Sequence, residues 1–294
     1  MVSAERSPDP TALWLCQMPG MTAALLNPLL AAFGSADAIL RASSGALRKL
    51  GVAPALVAQI VAGPRQIAHV AAGLKGLRRL GIVPLPFAAP GYPDRLKTLS
   101  DPPLVVYVQG AWPLPQRCML VVPPSEPEPK VAQQWAELAA AFQPHVAFAS
   151  LAAMSIPDLL KPQLLAVPYG LMLARQRLPK ELSKQVAAGS CTLISACPPT
   201  AQPDPSALQQ TSRMLVTLAD TLVLLLPVPA EAEDLVATAR SVNVPVFAVA
   251  ATARAPLPPQ ASRLRSSKSG MRALSAALGV HLDGATTVQQ ERLF

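Results

Sequence analysis

Residues 118–149 read CMLVVPPSEPEPKVAQQWAELAAAFQPHVAFA. Two short apolar runs, Cys118–Val122 and Val146–Ala149, enclose a stretch with a different period. The runs do not alternate polar with apolar, as expected of strands buried on both faces. Between them, Lys130–Phe142 places Val131, Trp135, Leu138 and Phe142 on one helical face. Pro129 suits the first helical turn, where a missing N–H costs nothing. Strand, helix and strand in this order build a parallel sheet covered by helices.

The same alternation runs outward in both directions. Further apolar runs lie at Leu104–Val108, Leu164–Val167, Cys191–Ser195, Thr221–Leu226 and Val246–Val249. Ile82–Phe87 reads as a strand and Ala88–Pro93 as a Pro/Gly turn. Before Gly81 the pattern is helical, in short pieces separated by Pro19-Gly20, Gly34-Ser35, Gly51, Pro54 and Gly63-Pro64. Leu25, Leu29, Leu30 and Phe33 fall at helical spacing, and Ser35 is placed to cap a helix. The expected fold is α/β: a Rossmann-like, mostly parallel sheet with helices on both faces, preceded by a small helical domain. The expected boundaries are 1–80 for the helical domain and 81–294 for the Rossmann-like one.

The 294 residues are 51% hydrophobic and 14% charged, which excludes a disordered chain and allows a sizeable core. Proline (33) outnumbers glycine (15), against a coiled coil or collagen. No stretch approaches the roughly 20 apolar residues of a membrane helix. Glu5, Arg6 and Asp9 precede only a short apolar patch, against a signal peptide, so a cytoplasmic location is expected. Cys16, Cys118, Cys191 and Cys197 form no CxxC pair and lie far from His69, His145 and His281. A zinc site needs clustered ligands, so core packing is the expected role of these thiols.

The net charge of +8 is concentrated. Residues 38–97 hold Arg41, Arg48, Lys49, Arg65, Lys75, Arg78, Arg79, Arg95 and Lys97 against Asp94 alone. A second basic group is Arg254, Arg263, Arg265, Lys268 and Arg272. Clustered cations favour polyanions, because phosphate contacts release counterions; a solvated basic surface is the alternative. Met18-Pro-Gly-Met21 and Leu50-Gly-Val-Ala-Pro54 look like the tight turns of helical-hairpin DNA-binding modules. An ordinary helical bundle explains them equally.

Ligands of Rossmann-like sheets sit beyond the carboxyl ends of the strands, usually on a glycine-rich turn. Here Val122 is followed by Pro123-Pro124-Ser125-Glu126-Pro127, and Ala149 by Ser150-Leu151-Ala152-Ala153-Met154. Neither offers glycine, against a dinucleotide cofactor; no cofactor is expected. No Ser-His-Asp order stands out. Glu231, Glu233 and Asp234 complement the dipole of a helix start without any chemistry, so no enzyme is expected.

At Gly91-Tyr92-Pro93 and then Asp101–Gly110 (DPPLVVYVQG), the chain resembles the bacterial DNA-processing (Smf/DprA) family, whose GYP turn precedes a D-P-P-strand-x-G segment. Leu164–Gly170 resembles the family's strand leading to a glycine turn, and Leu178–Leu182 its P-x-N/E-x-x-L helix start. Leu193-Ile194-Ser195 with Pro198-Pro199 resembles L-(I/V)-S-E-x-P-P, with Ala196 in place of the acid. Ser212-Arg213-Met214-Leu215 resembles N-R-(I/L)-I, and Val246–Val249 matches V-F-A-V. The helical N-terminal part resembles a sterile-alpha-motif-like module. Coverage is roughly residues 12–290. The departures fall on loops. The family's G-S-R stands at Pro124-Ser125 without its arginine. Its G-x-A-x-G-I-D loop is Ser150–Asp158, keeping only Ile156 and Asp158. Its G-S-L-I-T-A stretch is Glu231–Val236.

The resemblance implies single-stranded DNA binding without catalysis, homodimerisation through the Rossmann-like domain, and loading of a RecA-type recombinase during DNA uptake, natural transformation or recombination. Arg213 is the arginine position that carries over; with Arg41, Arg48, Lys49, Arg78 and Arg79 it is expected to contact phosphates. Ser206, Gln209, Gln210, Arg213 and Thr217 share one helical face, suggesting exposure. The chain ends soon after Val288, so the winged-helix extension of some family members is not expected. Two other readings stay open: a homologue that has lost the pocket and serves as a protein-interaction module, and a small-molecule enzyme with an unrecognised site.

Overall fold

The computed structural model describes residues 8–282, apart from 115, 125, 127, 153–160 and 230–231. It divides into two compact units, Met1–Pro115 with Leu151–Ala153 and Gln163–Leu218, and Gln116–Ser150 with Met154–Pro162 and Ala219–Phe294.

The first unit opens with six short helices, each started or stopped by the residues that punctuate the sequence. They are α1 (Pro10–Gln17), α2 (Ala23–Phe33), α3 (Ala36–Leu40), α4 (Ser44–Lys49), α5 (Pro54–Ala62) and α6 (Pro64–Arg79). Asp9, Thr22, Ser35 and Ser43 accept first-turn amides as N-caps, and Pro10, Pro54 and Pro64 open their helices. Leu25, Leu30 and Phe33 are half-buried, while Leu26 and Leu29 carry the buried face of α2. Strand β1 (Ile82–Pro86) pairs antiparallel with β2 (Val105–Gln109). It carries Pro84 and Pro86, which a strand tolerates where no ladder donor is required. In the same unit, β5 (Leu164–Ala166) runs parallel to β6 (Thr192–Ser195), and β6 pairs antiparallel with β2. The antiparallel pairs are the departure from a purely parallel sheet. Helices α8 (Ala174–Arg177), α9 (Lys180–Ala187) and α10 (Pro205–Leu218) complete the unit.

The second unit is a wholly parallel sheet among its described pairs. Its strands are β3 (Arg117–Val122), β4 (Val146–Leu151), β7 (Thr221–Leu225), β8 (Val246–Val249) and β9 (Ser262–Leu264), in the order β4-β3-β7-β8-β9. The interiors of β3, β4, β7 and β8 are buried throughout, as continuous apolar runs require. Helix α7 (Pro129–Phe142) lays Val131, Trp135, Leu138 and Phe142 on this sheet, with the Trp135 ring 5.4 Å from that of Phe148. Leu274 and Leu278 of α12 (Lys268–Leu278) join the same core. Each such side chain contributes about 1.5–3 kcal/mol by leaving water. Helix α11 (Ala232–Ser241) holds Glu233 and Asp234 in its first turn, the dipole-complementing position; Glu231 lies outside the described residues. Among the described residues no helix is long and apolar enough to cross a membrane.

Candidate nucleic-acid interface

In the second unit the chain winds outward from β3 to β4 on one side and from β7 through β8 to β9 on the other. The crevice beyond the carboxyl ends of β3 and β7 is therefore the topological switch point, where such sheets ordinarily take a ligand. Both strands run into proline there. Pro123 and Pro124 follow β3 and are buried, and Pro227 follows β7. Proline supplies no N–H, and the Leu226 amide is already bonded to the Val249 carbonyl at 3.0 Å. Ser150, in the family's glycine-loop position, is buried and donates its hydroxyl to the Val121 carbonyl at 3.3 Å. Among the described residues, Pro123, Pro124 and Pro227 offer an anion no backbone donor there.

A cleft of ≈ 420 Å³ opens instead at the carboxyl ends of β8 and β9. Its walls are Ala250–Ala253 after β8, Arg265–Ser267 after β9, and Gln134 from α7. Arg263 also lines it, and its guanidinium donates to the carbonyls of Thr252 (2.8 Å) and Ala255 (2.5 Å). That fork fixes the loop after β8. Arg265 is exposed and has no ion-pair partner among the described residues. Ser267 caps α12, its Oγ accepting the Gly270 amide at 3.3 Å and lying 3.0 Å from the Ser269 Oγ. The helix can start here because Gly270 lacks a side chain: a Cβ would lie 2.1 Å from the Arg265 carbonyl oxygen. Two arginines and two serines thus line one cleft, with no acidic residue on its lining. Gln134 is half-buried there, and its Oε1 has no hydrogen-bond partner among the described residues.

The residues expected from the sequence lie in the first unit. Arg41 is the C-cap of α3; Arg48 and Lys49 close α4, and Arg78 and Arg79 close α6. All five are exposed, and none has an ion-pair partner among the described residues. Their places at helix C-termini also complement the helix dipoles, a structural reason for cations there. Arg213 lies on α10 and is half-buried. The exposed face expected around it is shorter than the spacing suggests. Ser206, Gln209 and Gln210 are exposed, but Thr211, Ser212 and Thr217 are buried. Thr217 satisfies its hydroxyl inside the helix, donating to the Arg213 carbonyl at 2.8 Å, so this polar residue tolerates burial. In the hairpin-like turns, the Met21 amide bonds the Met18 carbonyl, and the Gly51 and Val52 amides bond those of Arg48 and Leu47. Those donors are occupied.

The motifs of the resemblance have visible structural work. Tyr92 donates to the Pro103 carbonyl at 2.6 Å, tying the GYP turn to the DPP segment. Its ring lies 5.3 Å from Phe87, with the Lys97 ammonium 5.9 Å from each ring. Burial pushes its phenol well above the usual range. Gly170 packs on Pro198-Pro199, where a Cβ would meet the Pro199 carbonyl at 2.1 Å, so this glycine serves packing. All four cysteines are buried and none forms a disulfide, as expected of core thiols. Desolvation pushes Cys16 up to about 11 and Cys191 up to about 12, which keeps both protonated and poorly nucleophilic near neutrality.

The first unit also holds a larger cavity, ≈ 910 Å³, lined mainly by apolar groups such as Leu15, Leu26, Leu30, Leu85 and Trp112. Asp9 is its charged lining residue, so it favours no anion. The cleft of the second unit escaped the sequence reading in part. Arg263, Arg265 and Lys268 stood out as a basic group, but Gln134 is distant in sequence, and β9 is too short, at three residues, to announce itself.

No family model and no curated protein matches this sequence. Solved structures do. DNA processing protein A (DprA) from Streptococcus pneumoniae superposes with a TM-score of 0.66 at 14% identity, covering 92% of this chain and 98% of that one. A structure of DNA processing protein A from Helicobacter pylori, reported for its single-stranded DNA binding mode, gives 0.47 at 16% identity, over 68% of this chain and 89% of that one. The first likeness spans both the helical N-terminal segment and the strands, and it meets the resemblance carried by the GYP, DPP and VFAV motifs: the chain has the fold of DNA processing protein A.

Proposed function

We propose that the chain is a DprA-like, non-catalytic protein that binds single-stranded DNA. The observation that carries this reading is the set of cations that no acid neutralises: Arg41, Arg48, Lys49, Arg78, Arg79 and Arg213 have no ion-pair partner among the described residues. These six contact phosphates, and such contacts position a strand without reading its sequence. The fold adds support by analogy only. In this reading residues 1–80 form a helical module ahead of a Rossmann-like domain at 81–294. The protein acts in the cytoplasm as a homodimer and passes strands to a RecA-type recombinase in DNA uptake and recombination.

The test is fluorescence anisotropy of a labelled oligonucleotide at several salt concentrations. Six phosphate contacts on a single strand give a slope of log K against log salt near −4, from about 0.7 per contact. Arg213→Ala is expected to lower the slope by roughly one contact. Absence of binding at low salt refutes the reading.

The proline-filled switch point and the apolar cavity of the first unit favour a second reading, a protein-interaction module on the DprA fold. A chain that stays monomeric and copurifies with no other protein argues against it.

A further inference from the structure

We infer that the outward face of α6 is a track for the sugar-phosphate backbone of a single strand, carried by Arg65, His69, Lys75 and Arg79. Arg65, His69, Ala72, Gly76 and Arg79 recur every three or four residues, so they stand in one line along the helix, with Lys75 beside it. All of these are exposed, while Ile67, Val70, Leu74 and Leu77 turn inward on the opposite face. From Arg65 to Arg79 the line is about 21 Å long at the helical rise. A stacked strand carries a phosphate about every 3.4 Å, so about six nucleotides fit.

Two observations support the track. The first is charge. Helix α6 holds Arg65, Lys75, Arg78 and Arg79 and no acid, and none of these cations has an ion-pair partner among the described residues. The elements packed on α6 add no carboxylate. Helix α5 and strand β1 carry no ionisable side chain, and α1 carries only the buried Cys16 thiol. Asp9, ahead of α1, lines the apolar cavity, to which no residue of α6 contributes. Cations without acids among them attract a polyanion. The second is glycine. Gly73 and Gly76 interrupt the interior of α6, although glycine is a poor helix former. Neither has a positive φ, and a Cβ at either would meet nothing, so neither the backbone nor packing within the described residues calls for them. With Ala68 and Ala72 they leave a low strip between the arginines, where another backbone can approach closely. A lipid surface fits less well, because the strip has no large apolar side chain to insert.

The inference rests on the DNA-binding reading above and extends it: Arg79 is among the six cations named there, and Arg65, His69 and Lys75 are not. Histidine gains its charge as pH falls between about 8 and 5, so His69 adds a contact on acidification.

Fluorescence anisotropy of a labelled single strand, titrated with salt, tests the track on the full chain. At about pH 8, Arg65 and Lys75 raise the phosphate contacts from about six to about eight. The slope of log K against log salt then steepens from about −4 to about −5.6, at about 0.7 per contact. Arg65→Gln combined with Lys75→Gln returns it to about −4. Both residues are exposed, so this variant is expected to melt with the wild type. At about pH 5.5 the wild-type slope steepens by about 0.7 more, and His69→Ala, with His145 and His281 intact, removes that increment. Gly76→Gln is expected to melt at or above the wild type and to bind the strand at least about threefold more weakly. A double variant that keeps the wild-type slope, or Gly76→Gln that binds as the wild type does, overturns the track. Where the wild type still binds the strand, the DNA-binding reading then stands on the other cations; no strand binding even at low salt removes both. Vesicles of phosphatidylserine are the comparison. Binding to them that the double variant loses, with strand affinity unchanged, assigns the face to lipid and overturns the track.

Discussion

Two places on one parallel sheet, the ends of β3 and β7 and the ends of β8 and β9, differ in what they present to solvent. The first is where an α/β sheet ordinarily holds its ligand, and here Pro123, Pro124 and Pro227 supply no N–H and the Leu226 amide is bonded to Val249. The second, at the margin of the sheet, carries the cleft, the arginines and a capped helix start. A fold fixes where backbone ends converge, but side chains decide which convergence is open.

The strongest way to break the comparison is to remove what supports both places. Trp135→Ala empties the core between α7 and the sheet and is expected to cost about 3–5 kcal/mol, read as a lower urea midpoint. It also displaces the neighbouring Gln134. Next is Gly270→Ala. The added Cβ pushes the start of α12 away from the Arg265 carbonyl, with a loss of about 1–3 kcal/mol, checked by thermal melting. Pro124→Gly sharpens the comparison from the other side. It places a backbone donor at the switch point at a cost of about 1 kcal/mol, and affinity for the labelled oligonucleotide is expected to stay within about twofold of wild type. A large gain would return the site to the ordinary crevice.

The smallest expected effect is on alkaline stability and belongs to the first unit. Burial raises the Cys16 and Cys191 thiols from 9.0 to about 11 and about 12, so the folded state holds their protons more tightly than the unfolded state. Their contribution is complete below pH 9.0 and is lost as pH rises through about 11 to 12. Chemical denaturation across that range should show the decline, and a Cys16→Ala, Cys191→Ala double variant should lessen it, leaving the part carried by the buried Tyr107 and Cys197, which burial also raises.

Most of the architecture is legible in the sequence because its signals are local. Seven uninterrupted apolar runs correspond to β2 through β8, the stretch from Ile82 corresponds to β1, and Pro129 opens α7 where the Val131–Trp135–Leu138–Phe142 spacing places a helix. The GYP and DPP motifs are legible for the same reason, since Tyr92 and Pro103 meet across a short turn. Beta9 is not, because Ser262-Arg263-Leu264 has neither length nor apolar continuity. Nor is the cleft, whose parts come from α7 and the segments after β8 and β9, joined by pairing of β8 with β9 that no local pattern announces. Arg213 shows the limit of helical spacing: polarity at every third or fourth position suggested an open face, but Thr217 is buried with its hydroxyl bonded within the helix.

The most direct measurement is photocrosslinking of a bromodeoxyuridine-containing single strand to the full chain, with the crosslinked peptides identified by mass spectrometry. Crosslinks in peptides next to Arg41, Arg48, Lys49, Arg78, Arg79 or Arg213, and none in those spanning Val122–Pro129 or Leu226–Pro229, are the predicted result. Crosslinks confined to the β3 and β7 ends, with the peptides of the six cations unlabelled, would contradict it.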